Sequence, residues 1–386
     1  MDNATQADGS LKIDLQDPVH ASLCLSMTPG VGPKSFRTLV ESLDGAVNVL
    51  QTAPSVLREI PGIGPKLASA IAAAATSVDI RDELQRCHDH KIQLMGIQHP
   101  DYPVRLQEIE DRPSTLYCRG QLVPHDELAI AIVGTRHASN YGLRTAEKLA
   151  RNLASAGFTI VSGLARGIDA AAHRGALSAG GRTIAVLGSG LLNMYPPEHG
   201  ELSLEIAAHG AVLSEYPSLQ PPKSGSFPQR NRIVTGLSLG VIVVEAAERS
   251  GALISARHAM EQNRDVFAVP GQIDNRVSSG CHQLIRDGAM LVTCVDDVIE
   301  HLGPLASPAV ANVAGQDQAT ILHPAELQLN EQEMLVLQSV QAEPTHVDVI
   351  VSTTGLAVHR ILSTLSVLEM KRLIRRVSGS EVCRNS

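Results

Sequence analysis

The chain has 386 residues, a net charge of −8 and 44% hydrophobic residues, which supports two to four domains with ordinary cores. Nine residues are aromatic, five Tyr and four Phe with no Trp, which argues against modules that present a platform of several stacking rings. The acidity is local: residues 1–127 carry 11 Lys and Arg against 17 Asp and Glu, whereas residues 128–300 balance at 15 each, leaving room there for a basic face.

The polar start, Met1–Ser10, lacks the basic-then-apolar layout of a signal peptide, and no apolar run approaches the ~18 residues of a spanning helix. Six scattered cysteines form no CxxC pair, so the expectation is reduced thiols in a cytoplasm, with no structural metal.

The N-terminal part repeats Pro29-Gly30-Val31-Gly32-Pro33-Lys34 as Pro61-Gly62-Ile63-Gly64-Pro65-Lys66. Glycines allow a tight turn and proline starts the next helix, so each copy predicts a helix-hairpin-helix. Such hairpins either offer backbone N–H groups to phosphate or simply pack together, and the acidic surroundings favour packing.

From Ala129 the pattern alternates. Apolar runs at Ala129–Val133, Thr159–Val161, Thr183–Leu187, Ala211–Leu213, Gly240–Val244, Val266–Val269 and Met290–Val292 are separated by helical patterns such as Tyr141–Ala156, Ile168–Ala179, Leu202–Ala208 and Ala252–Gln262. Continuous Val/Ile/Leu strands between helices predict an α/β, Rossmann-like doubly wound parallel sheet covered on both faces. Residues 330–386 show three helical patterns, Asn330–Ala342, Val347–Ser352 and Ala357–Met370, then a hairpin around Ser378-Gly379-Ser380, which predicts a winged helix. The expected domains are therefore helical 1–90, Rossmann-like 91–302 with its core at 128–300, a linker 303–329, and winged helix 330–386. With few polar side chains on its third helix, the winged helix reads as a docking module before a base reader.

Ligands of an open parallel sheet sit beyond the carboxyl ends of its strands. There this sequence places Gly134-Thr135-Arg136, Ser162-Gly163-Leu164-Ala165-Arg166-Gly167, Gly188–Pro197, Phe227-Pro228-Gln229-Arg230-Asn231-Arg232 and Ser250-Gly251. Small residues allow close backbone approach and arginine supplies forked donors, the chemistry of a phosphate-rich ligand. Neither a P-loop nor a GxGxxG fingerprint is present, and nothing asks for a cofactor. Asp169 and His173, spaced i,i+4, invite an acid/base reading, but local capping by one and packing by the other is the favoured account. Glu245 ends a buried run, where it either works as a catalytic carboxylate or anchors a loop arginine such as Arg232. Cys281-His282 has no identifiable third partner, so no catalytic residue is expected.

The segments Ile132-Val133-Gly134-Thr135-Arg136, Ser162–Asp169, Phe227–Arg232, Val243-Val244-Glu245-Ala246, Ser250–Ile254 and Val269-Pro270-Gly271 resemble the DNA-processing protein A (DprA/Smf) family, and the flanking hairpins and winged helix match its extended layout. The resemblance implies a cytoplasmic homodimer that binds single-stranded DNA on the Rossmann-like domain, protects incoming strands in natural transformation and loads the RecA recombinase, without catalysis. It implies DNA contacts at Gly134, Thr135, Arg136, Ser162, Gly163, Arg166, Phe227, Arg230, Asn231 and Arg232, with Phe227 or Tyr195 stacking a base. Two departures stand in the third loop: Leu192 where the family usually has Asp, and Pro197-Glu198 where some members have a basic residue. The alternative is a phosphoribohydrolase-like, nucleotide-binding enzyme using the same rim and Glu245; a duplex-binding transcription regulator is a weaker third.

Overall fold

Gly30 and Gly62 adopt left-handed backbone at φ 92° and 86°, so both copies of the repeat make the same turn. Pro33 and Pro65 then open the helices Pro33–Leu43 and Pro65–Ser77, where a missing N–H costs the helix nothing. The helices Pro18–Met27, Ala46–Gln51, Pro54–Leu57 and Arg81–Asp89 complete the hairpin region. In this computed structural model the described residues are 13–303, 331–340, 345–370, 373–376 and 381–384. Met1–Ser10, the expected linker beyond Gly303 and the turn Ser378-Gly379-Ser380 lie outside them.

The sheet has nine strands: β1 (Gln93–Gly96), β2 (Thr115–Gly120), β3 (Ala129–Val133), β4 (Thr159–Ser162), β5 (Thr183–Val186), β6 (Ala211–Ser214), β7 (Gly240–Val243), β8 (Asp265–Ala268) and β9 (Met290–Leu291). Their order is β1-β2-β6-β5-β4-β3-β7-β8-β9. From β6 to β9 every pairing is parallel, as the alternating runs predict. β1 and β2 extend the sheet beyond that pattern as an antiparallel pair, β2 lying against β6.

Neighbouring strand residues divide between two cores with period two. Ala185, Leu187 and Val212 face one side, where they share a core with Leu23, Leu39, Ile71 and other residues of the hairpin region. Ile184, Val186, Val161, Val133 and Val243 face the other side and pack with Ile233, Ala256 and Leu284. The hairpin helices and the sheet thus bury one another's apolar surface. From β3 the chain winds outward through β4, β5 and β6, then returns to β7 on the other side of β3. That reversal opens a crevice at the carboxyl ends of β3 and β7.

The chain divides into two units, the hairpin region and nine-stranded sheet in one and the C-terminal elements in the other. The second has the helices Glu331–Ser339, Val347–Thr354 and Val358–Met370 and strands β10 (Thr345–His346), β11 (Ile374–Arg376) and β12 (Glu381–Arg384), ordered β10-β12-β11. Ile361, Leu365 and Leu368 are fully buried on one face of its third helix, as their spacing predicts.

Candidate nucleic-acid interface

The loop leaving β3 is pinned from below. The Thr135 N–H donates to the Glu245 carbonyl at 2.8 Å, and the Ile168 N–H donates to the Thr135 carbonyl at 3.3 Å. Gly167, at φ 76°, passes so near the Thr135 and Arg136 carbonyls that a Cβ has no room. What remains exposed is the Arg136 side chain, whose guanidinium lies 4.9 Å over the centroid of the Phe227 ring. Stacking of this kind contributes ~0.5–1 kcal/mol at exposed sites and here fixes where the charge points. Beside it opens a cavity of about 460 Å³ lined by Gly134, Thr135, Arg136, Gly163, Phe227, Arg230, Asn231 and Gly251. Seven of the ten residues expected to touch DNA therefore meet at the β3–β7 crevice.

The other three lie elsewhere. Ser162 is fully buried and donates its hydroxyl to the Ile132 carbonyl at 2.6 Å. Arg166 is exposed but paired with Glu198. Arg232 is turned away from the crevice, because Phe227–Arg232 is not a loop but the first half of the helix Ser226–Gly236. Two residues along a helix turn through about 200°, so Arg230 and Arg232 face opposite sides. Arg230, 4% exposed, donates to the Val186 carbonyl at 2.7 Å and lies flat against Gly163, leaving no space for a Cβ there. Burial draws its pKa down to about 10, so it stays charged at neutral pH and forms the cavity floor. Arg232, 3% exposed, makes a bidentate pair with Glu215 at 2.8 and 2.7 Å and reaches the Asp111 carbonyl at 2.8 Å. The expected anchoring of Arg232 by Glu245 is thus corrected: Glu215 and Asp111 do that work.

Glu245, 1% exposed, accepts from the Ser139 N–H at 2.9 Å and from its hydroxyl at 2.5 Å, against the N-terminus of the helix Asn140–Ser155. A carboxylate held this way stabilises the start of that helix and fixes the Arg136 loop; it has no open side for a substrate. Asp169 accepts the Gly163 and Ala165 N–H groups at 3.2 and 3.3 Å, taking two rim amides that a phosphate would otherwise use, and burial raises its pKa. His173 is fully buried. The Thr183 hydroxyl donates to the Ile160 carbonyl at 2.7 Å, so the 2.7 Å contact with His173 places the imidazole proton on Nδ1. Burial and Arg230 hold His173 down at about 3, so it is a neutral packing residue. Cys281 is buried under the sheet with its thiol pushed up to about 12.

Tyr195 joins the site from the third loop. Its ring lies 5.8 Å from that of Phe227, and the Arg166 guanidinium stands 5.6 Å over it. Arg136, Phe227, Tyr195 and Arg166 thus form one row of contacts drawn from the segments that follow four strands, β3, β6, β5 and β4. Phe227 carries Arg136 on its ring and packs under Gly188, where a Cβ would lie 2.9 Å from the ring. Leu192 packs against the core shared with the hairpin helices, away from the row. The Arg166–Glu198 pair is the part that sequence reasoning misses; Glu198 gives a signal only as an acid where some members of the family have a basic residue. Among the described residues no helix is long and apolar enough to cross a membrane, and no group of three His, Cys, Asp or Glu is placed to hold a metal.

Residues 93–303 match the family model for DNA recombination-mediator protein A, 322–380 the DprA winged helix domain, and 22–77 a SAM-like helix-hairpin-helix tandem. The chain is 36% identical to protein Smf of Synechocystis, across 92% of this chain and 96% of that protein. DNA processing protein A of Streptococcus pneumoniae superposes with a TM-score of 0.65 at 36% identity, covering 75% of this chain and 98% of its own. DNA processing protein A of Helicobacter pylori, described for its single-stranded DNA binding mode, superposes with a TM-score of 0.50 at 33% identity, covering 55% and 96%. With its hairpins, doubly wound sheet and winged helix each matched in order, the chain belongs to the DNA recombination-mediator protein A (DprA) family.

Proposed function

We propose that this chain binds single-stranded DNA along the Arg136–Phe227–Tyr195–Arg166 row and the adjoining cavity, and acts without catalysis as a recombination mediator in the cytoplasm. The observation that carries the reading is Arg136: exposed, stacked on Phe227 and standing at the mouth of a cavity with charged Arg230 at its floor. A guanidinium held over a ring keeps its forked N–H edge free for a phosphate, while its own face offers a base a stacking surface. The single-stranded DNA binding described for the Helicobacter pylori neighbour supports the same ligand class. Family membership supports, as further parts of this reading, protection of incoming strands in natural transformation and loading of RecA onto them. The chain acts as a homodimer: the sheet ends in β9 with Met290 and Leu291 exposed, a face suited to a second copy. Two rows on one strand give avidity that a single subunit lacks.

The direct test is binding of oligo(dT) against duplex DNA of equal length, with wild type and Arg136→Ala. The reading expects preference for the single strand and a loss in Arg136→Ala; equal affinity for both DNA forms, unchanged by the substitution, overturns it. The hydrolase alternative rested on Glu245, whose carboxylate is buried on Ser139; release of free base from nucleoside monophosphates would revive it.

A further inference from the structure

The two ends of the row differ. At one end Arg136 stacks on Phe227, and among the described residues no carboxylate pairs with it. At the other, Arg166 stacks on Tyr195, donates to its hydroxyl at 3.4 Å, and is also engaged by Glu198 through Nε. The Arg166 and Glu198 side chains are 47% and 49% exposed, so this pair faces the solvent from which a strand would arrive.

Glu198 is not a loose surface acid. It lies in the short turn Pro197–His199, and the next residue, His199, is 6% exposed with its Nδ1 2.9 Å from the Leu164 carbonyl. Leu164 belongs to the same loop as Arg166 and sits in left-handed backbone at φ 54°. Thus one buried contact locks the two loops together, and the neighbouring carboxylate is delivered to the guanidinium two residues along. The pair is placed by the backbone of both loops, not by chance encounter of two long side chains.

We propose that Glu198 is a built-in competitor for DNA phosphate at Arg166, which loosens one end of the grip on a single strand. A phosphate reaching Arg166 must displace a carboxylate already in place, so this end exchanges one anion for another and releases few counterions. Arg136, at the other end, supplies a full contact. A strand held firmly at one end and weakly at the other is one that a second protein can lift away, which suits a mediator. The inference rests on the reading of the row as a single-strand site.

The test uses full-length protein, oligo(dT), and four variants: Glu198→Gln, Arg166→Ala, the double variant, and Arg136→Ala. Glu198→Gln is expected to bind roughly two- to fivefold tighter at low salt, the range of an exposed ion pair. Its plot of log affinity against log salt should steepen by about 0.7, the contribution of one further phosphate on a single strand. Arg166→Ala, which removes the weakened contact of the row, should bind modestly more weakly than wild type, and in the double variant the gain from Glu198→Gln should vanish relative to Arg166→Ala. Unchanged or weaker binding by Glu198→Gln, or a gain that survives in the double variant, overturns the proposal. Arg136→Ala separates the two levels. If it weakens binding while Glu198→Gln does not tighten it, the competitor idea alone fails; if it has no effect, the site itself is wrong and the competitor falls with it.

Discussion

Arg136 and Arg232 are both arginines of the same strand-end motifs, yet one stands at the mouth of the crevice and the other under its wall. Arg136 has water on one side and the Phe227 ring on the other, with its charge available. Arg232 is enclosed by Glu215 and Asp111, so its charge is already answered. Arg230, between them, is buried like Arg232 but forms the cavity floor like a ligand group. The difference teaches that at this rim the backbone element decides the role of each guanidinium: a pinned loop offers its arginine outward, and a buried helix turns its arginines into the structure.

The comparison breaks most visibly at Arg232. Replacing it with Ala leaves the buried Glu215 without its charge partner, which is expected to cost about 3–5 kcal/mol in urea or guanidinium unfolding. A loss below ~1 kcal/mol combined with weaker DNA binding would instead move Arg232 to the mouth. His173 tests the same buried floor through pH. Its folded pKa, about 3, lies below the ordinary 6.5, so below pH 6.5 the unfolded chain takes a proton the native state refuses. Stability should therefore be full above pH 6.5 and fall toward pH 3, by at most ~1.4 kcal/mol per pH unit from this residue. In His173→Gln that part of the decline should disappear from the unfolding curves; an unaltered pH slope would show that His173 does not contribute. Gly163→Ala forces a Cβ into the Arg230 guanidinium and is expected to cost about 1–3 kcal/mol, measured by thermal or denaturant unfolding. A neutral Gly163→Ala would mean that Arg230 swings freely and is not a fixed floor.

The parallel sheet was legible because its central strands, β3 to β7, are buried on both faces, which writes continuous Val/Ile/Ala runs into the sequence. β1 and β2 are antiparallel, and Thr115–Gly120 mixes Thr, Cys and Arg with its apolar residues, so no such run marks it. The helix Ser226–Gly236 escaped for the opposite reason. Its buried residues include Ser226, Arg230, Arg232 and Thr235, so it has no apolar stripe, and Pro228 in its first turn reads as a loop signal although helices tolerate proline there. Of the site, glycine and arginine identities were readable, as was the rim they share. Directions were not: Arg232 and Ser162 point inward because of helix phase and strand pleat, and Arg166 is engaged by a residue 32 positions away that only the folded loops bring near.

The central claim is that an exposed guanidinium at the crevice mouth holds a DNA backbone. It is tested most directly by oligo(dT) affinity measured across a salt series for wild type and Arg136→Ala, with unfolding curves of both. The account predicts wild-type affinity that falls steeply with salt. Arg136→Ala should bind about tenfold or more weakly, with a salt slope shallower by ~0.7 and stability within about 0.5 kcal/mol of wild type. Superimposable salt plots for the two proteins would contradict it.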